Sequence, residues 1–317
     1  MIISIRDANG RTKNAAIVAS LVGGITAVGK SKKTLIVHFT KPSEPNALDM
    51  LSGTAIKRNT LQSIVKFADD GLDGIAMRAD NNDLTKEHFD ECVTDLLDKD
   101  NMLDILKPHK SEDYRTLVSM DVFENIIQGS KDVYEYVYIV LPSDTQDPEL
   151  VEFVTSYTDE DLVVISQGPK QDMDLSNKKT NLVVINYGST SKFDLHSMKK
   201  AYGVKKLFTV PYSVACRDAR VSESMLDYIM KNRKDQKNDD NYELFQALYD
   251  LVDRYVVDKD DEDEEELEDK VKDQKLLVDK HPLADEQDIL PEDAVQEVIV
   301  KKKGLFAKKE KKIMINM

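Results

Sequence analysis

The sequence predicts an α/β fold with a doubly wound, mostly parallel sheet, and three observations carry that prediction. Apolar runs recur at Met1–Ile5, Lys33–Phe39, Tyr134–Pro142, Asp161–Gln167, Thr180–Gly188 and Lys205–Tyr212. Val, Ile and Leu dominate these runs with little alternation, which suits strands buried on both faces of a parallel sheet. Helical patterns separate most of them, as βαβ units require. Residues 44–133 read as mostly helical, with apolar residues at helical spacing in "TLQSIVKFA" and "TKEHFDECVTDLLD". Thr85 is placed to cap the second of these. His88 stands three residues on, where a capping box has Glu or Gln, so a full box is not expected. "YELFQALYDLVDRYV", Tyr242–Val256, is an amphipathic helix suited to closing the domain.

Composition divides the chain into three parts. Its 317 residues are 41% apolar, enough for one large core, and carry a net charge of −15. Residues 1–257 form the α/β domain and are mildly acidic. Residues 258–293 form an acidic linker, led by "DKDDEDEEELED", which cannot bury apolar area. Residues 294–317 form a basic tail with apolar anchors, Lys301, Lys302, Lys303, Leu305, Phe306, Lys308 and Lys309. Such a tail suits an anionic membrane surface, each lysine adding ~1 kcal/mol near the headgroups, or an acidic protein partner. The acidic domain argues against nucleic-acid binding, which needs a basic face. Cys92 and Cys216 are far apart, so no disulfide framework is expected and a reducing cytoplasm fits. No signal peptide is recognised, and no apolar run approaches the ~20 residues that span a bilayer.

The first run leads into "RDANGRT", Arg6–Thr12, and then an Ala/Ile/Val helix pattern. Gly10, Arg11 and Thr12 supply a glycine, a cation and a hydroxyl where a strand passes into a helix. A phosphate loop uses these groups to converge backbone N–H groups on an anion and to hold Mg²⁺. An ordinary βα turn uses a glycine in the same place.

These residues and the later strand ends resemble the ParA/MinD group, the deviant-Walker P-loop ATPases, and within it the TadZ/CpaE-type proteins. The family loop K-G-G-x-G-K-T is replaced by "RDANGRT": Arg6 for the signature lysine, Asp7 and Ala8 for two glycines, Arg11 for the second lysine, with Gly10 and Thr12 kept. The acid-rich strand end reads "LIVHFTKP", with His38 and Thr40 in the acidic positions, and the Walker B-like end reads "VYIVLP", with Val140 in place of the acid. "LDMLSG", Leu48–Gly53, resembles the segment after the acidic strand. Asn186, ending "LVVIN", and the proline loop at Pro211, running on to Ala219, resemble the adenine side of the site.

The resemblance implies a nucleotide site made of Arg6, Gly10, Arg11, Thr12, Asn186 and Pro211, with no catalytic residue. Hydrolysis needs Mg²⁺, charge neutralisation and an oriented water, and all three aligned acids are gone. Asp7 and Glu44 are the only nearby carboxylates. No cofactor is required, although ATP or ADP has retained elements to bind. His38 reads as a structural residue, no metal site is expected, and the cysteines read as packing residues. The expected function is a cytoplasmic, non-catalytic scaffold, peripheral at the inner membrane face. It would be a homodimer that assembles a Tad-type pilus or secretion machine, with that machine's ATPase as partner. The alternatives are an active, divergent ATPase switch and a DNA-partition protein.

Overall fold

The computed structural model describes residues 1–52, 71–79, 84–97, 102–143, 145–173, 175, 177–233 and 241–256. Eight strands form one sheet: β1 (Ile2–Asp7), β2 (Thr34–His38), β3 (Thr94–Asp95), β4 (Leu103–Leu106), β5 (Tyr136–Val140), β6 (Glu160–Ser166), β7 (Thr180–Tyr187) and β8 (Phe208–Pro211). Their order is β3-β4-β2-β5-β1-β6-β7-β8, parallel throughout except for the β3–β4 pair. All six predicted runs are strands. The fold is the α/β, mostly parallel one expected.

Helices cover both faces. On one face Ile3, Ile5, Ile36, Tyr138, Leu162 and Val164 pack against α1 (Thr12–Gly24) and the helices Met225–Asn232 and Tyr242–Val252. On the other, Ile2, Leu35, Val37 and Ile139 pack against the helices Leu72–Ala79, Met120–Val133 and Pro148–Tyr157. A second cluster on β6 and β7 packs under the helix Leu195–Tyr202. Burial on both faces is why the strand runs are apolar rather than alternating.

Residues 44–133 are mostly helical where described, as expected, with β3 and β4 also within them. Four residues of "LDIL" are too few to show a period; their parallel pairing with β2 makes them a strand. Three sequence expectations are corrected. The predicted helix from Thr85 stops at Cys92, and Val93 turns extended into the β3 pairing. A full capping box is present there, because His88 Nδ1 accepts the Thr85 N–H as a Glu carboxylate would. Finally, α1 continues as a π-helical turn, Ile25–Gly29, giving an 18-residue helix apolar enough to match a membrane span. With 78% of it buried inside the protein, it is a core helix. "TLQSIVKFA" and residues 257–317, with the acidic linker and basic tail, lie outside the described residues.

Three buried ionisable residues, Arg6, Asp161 and Asp104, show how the sheet accepts polar groups. Arg6 on β1 pairs with Asp161 on β6, Nη2 to Oδ2 at 2.9 Å, and Ser4 donates to the same carboxylate at 2.9 Å. Removing one partner of such a pair costs ~3–5 kcal/mol. Asp104 on β4 accepts only from the Tyr134 hydroxyl, at 2.7 Å, and its other oxygen has no protein partner among the described residues. Burial raises this carboxyl from 3.8 to about 7. A raised carboxyl stabilises the fold fully below about pH 4, and that contribution fades as pH rises through 7. Asp104→Asn keeps the acceptor for Tyr134 and loses the charge. Its denaturation midpoint is expected to exceed the parent's at pH 8, by on the order of 3 kcal/mol, and to match it near pH 4. Equal midpoints at both pH values would show that the Asp104 charge costs nothing.

Candidate functional site

The chain leaves β1 for β2 on one side, while the connection from β5 crosses to β6 on the other. The carboxyl ends of β1 and its neighbours therefore border a crevice, the place where doubly wound sheets bind ligands. A cleft of about 510 Å³ opens there, lined by Gly10, Arg11, Thr12, Lys13, Asn14, Glu44, Pro45, Asn186 and Arg220.

The loop from β1 to α1 is built around Asp7. Its Oδ1 accepts the N–H of Asn9 at 2.7 Å and of Arg11 at 3.1 Å, and its Oδ2 accepts from the Asn14 side chain at 2.9 Å. The side chain is 1% exposed. Gly10 turns the loop at φ +72, a conformation that favours glycine. A side chain there would also press on the Ser143 hydroxyl, 3.3 Å from an added Cβ. Arg11 precedes the helix without a side-chain cap, and no acid lies in the first turn of α1. Asp7 supplies both the acceptor and the negative charge that this helix end favours.

The next strand ends carry no carboxylate. Val140 is fully buried and sits in register between Ile5 and His38. His38 is also buried; its Nε2 accepts the Ala47 N–H at 3.0 Å, tying the strand end to the following helix. Burial pushes its pKa down to about 3, so the ring is neutral and structural. Thr40 is buried beside it. A carboxylate does arrive from the loop beyond: Glu44 Oε1 accepts from Thr12 Oγ1 at 2.9 Å and from Gln146 at 3.2 Å.

On the far side, Asn186 occupies an irregularity in the β7–β8 ladder, at φ +55 with its side chain exposed to the cleft. Asn tolerates this left-handed geometry, and a bulge re-aims a side chain out of the pleat. Cys216, on the nearby helix Val214–Val221, has its thiol pushed up to about 11 by burial, so it is no nucleophile.

Of the residues expected in the site, Gly10, Arg11, Thr12 and Asn186 line one cleft. Arg6 and Pro211 are not among its lining residues. Arg6 is a strand residue whose guanidinium is bound to Asp161. Pro211 ends β8, an edge strand that tolerates a residue without an N–H. Lys13, Asn14, Pro45 and Arg220 carried no sequence signal. Arg220 follows Ala219, the last residue of the proline-loop match. The basic-tail residues lie outside the described part, and no group of three metal-ligating side chains occurs among the described residues.

No family model and no curated protein sequence matches this chain. Solved structures do. A ParA family ATPase from Chlorobium tepidum TLS superposes with a TM-score of 0.59 at 12% identity, over 80% of this chain and 99% of the other. The MinD cell division protein of Aquifex aeolicus gives 0.53 at 11% identity, over 81% and 98%. The MinD protein of Pyrococcus horikoshii OT3, complexed with Mg-ADP, gives 0.50 at 16% identity, over 80% and 95%. The fold is therefore ParA/MinD-like.

A bound phosphate does not fit the loop as it stands. Two of the N–H groups that would face it are held by Asp7, which would also repel it, and the Thr12 hydroxyl points to Glu44. Asp7→Gly frees the Asn9 and Arg11 N–H groups. It is expected to destabilise the fold by ~1–3 kcal/mol and to gain binding of pyrophosphate in calorimetric titration. An unchanged midpoint together with unchanged titration would mean that the Asp7 contacts are incidental.

Proposed function

We propose that this chain is a non-catalytic ParA/MinD-like scaffold that positions or assembles a larger machine. The observation that carries the proposal is the Asp7 carboxylate, held by Asn9, Arg11 and Asn14 at the head of α1. An acid of the chain itself serves the helix end that in a phosphate loop serves the nucleotide. Val140, Thr40 and His38 add that the strand ends offer no acid to hold a metal or orient a water.

On this reading no cofactor is required. ATP or ADP, if bound, enters without the Asn9 and Arg11 N–H groups and relies on Arg11, Thr12 and Asn186. By the TadZ/CpaE resemblance the machine is a Tad-type pilus or secretion apparatus, and its ATPase is the partner of a homodimer of this chain. The protein works in the cytoplasm, peripheral to the inner face of the membrane through its basic tail. Sedimentation with vesicles containing anionic lipid is expected to pellet the full chain and to lose that fraction when residues after Val300 are removed. Equal pelleting of the two, or none, removes the membrane from the proposal.

One contact favours a second reading, an active divergent switch. Glu44 lies 2.9 Å from Thr12 Oγ1, the hydroxyl that binds Mg²⁺ in a phosphate loop. Phosphate release from ATP by the full chain with Mg²⁺ separates the two. The scaffold predicts no turnover above background. Mg²⁺-dependent turnover that disappears in Thr12→Ala and Glu44→Gln would install the switch in its place.

A further inference from the structure

The cleft keeps three cations that the folded domain does not use. Arg11, Lys13 and Arg220 line it, and among the described residues none of their side chains has a hydrogen bond or ion pair. Arg6, Arg78, Arg115 and Arg217 all pair with carboxylates, whereas these three cations share the cleft with one acid, Glu44, and pair with none. Asp7 takes the Asn9 and Arg11 N–H groups, and the cations are the cleft's charged donors for an anion.

The element that supplies Arg220 also supplies an apolar stripe. Val214 and Val221 lie two turns apart on one side of the helix Val214–Val221, exposed at 53% and 75%. Arg217 lies between them, and its Nη1 donates to the hydroxyl of Tyr212, itself 51% exposed. Three of the six large hydrophobic side chains exposed among the described residues are thus gathered at this one corner. Tyr and Arg are the residue types enriched at protein interfaces, and the two valines add exposed apolar area beside them.

We infer that the cleft and the exposed side of this helix form one docking surface for an acidic, apolar peptide segment of a partner protein. Its carboxylates meet Arg11, Lys13 and Arg220, and its apolar side chains cover Tyr212, Val214 and Val221. A polyphosphate fits less well because it offers nothing to the apolar stripe. Asn186, turned outward at the bulge, has both a donor and an acceptor for a peptide backbone. The inference rests on the scaffold reading of the same site and names the kind of partner it takes.

The test uses the full chain and a fluorescein-labelled ten-residue peptide of alternating glutamate and leucine, followed by anisotropy. Saturable binding is expected, with a loss of at least ~10-fold in affinity for Arg220→Glu and for Val221→Asp. Lys178→Glu makes the same charge change before β7 and is expected to bind as the parent does. Hydrogen exchange on adding peptide should slow at residues 10–14 and 214–221. No saturable binding, or binding that ignores both cleft variants, overturns the inference; the second result places the peptide elsewhere, on the lysine-rich tail for example. Displacement by equimolar pyrophosphate also overturns it, by assigning the cations to phosphate. ATP turnover by the same preparation would sink the scaffold reading, while the peptide arms report docking independently of it.

Discussion

A carboxylate facing backbone N–H groups at the head of α1 sets the character of this molecule. The ParA/MinD-like fold brings the first strand, the first loop and the longest core helix together at the switch point of the sheet. The helix must end somewhere, and its first N–H groups need acceptors. Asp7 accepts just ahead of them, from the N–H of Arg11, which precedes the helix, and of Asn9 in the loop. Asn14, one turn into α1, donates back to the same carboxylate and locks it. Asp7 thus braces the loop ahead of α1 from within the chain.

The surrounding polar residues also bond within the chain. The Thr12 hydroxyl donates a hydrogen bond to Glu44, and Gln146 donates to the same oxygen. His38 stands at a strand end where an acid is found in the resembled family, and there it fastens the next helix. Val140 fills the neighbouring position with hydrocarbon. Thr12 and His38 thus both face the protein, at Glu44 and the Ala47 N–H. The fit is incomplete: His38 Nδ1, Thr40 Oγ1 and Glu44 Oε2 are buried here without a partner among the described residues.

The strands were legible because burial on both faces writes itself as uninterrupted Val, Ile and Leu, and all six runs are strands. β4 was hidden because its four residues are too short to show a period. The His88 capping box was hidden because imidazole nitrogen can do a carboxylate's work, which a search for Glu or Gln overlooks. In the site, Gly10, Arg11, Thr12 and Asn186 were legible through position along the chain. Arg6 was misleading: the loop alignment places it among the phosphate-facing residues, but the strand runs through Asp7, so the Arg6 side chain belongs to the sheet and meets Asp161. Arg220 could not be read, since a helix beyond the last strand reaches the cleft only through the way β8 and that helix fold back.

The internal bonds of the loop leave other residues of the cleft unaccounted for. A loop held from within the chain accounts for Asp7, Val140 and His38. It does not account for Arg11, Lys13 and Arg220, which line the cleft with Glu44 and make no ion pair among the described residues. It does not explain Val214 and Val221 either, since two exposed valines two turns apart on one side of a helix add nothing to the core. Residues that cost the isolated domain something, and that cluster at one corner of the old crevice, are accounted for when the corner meets another molecule. The fold then serves as a rigid frame: the sheet fixes the first loop and the last helix, and the surface between them carries the recognition.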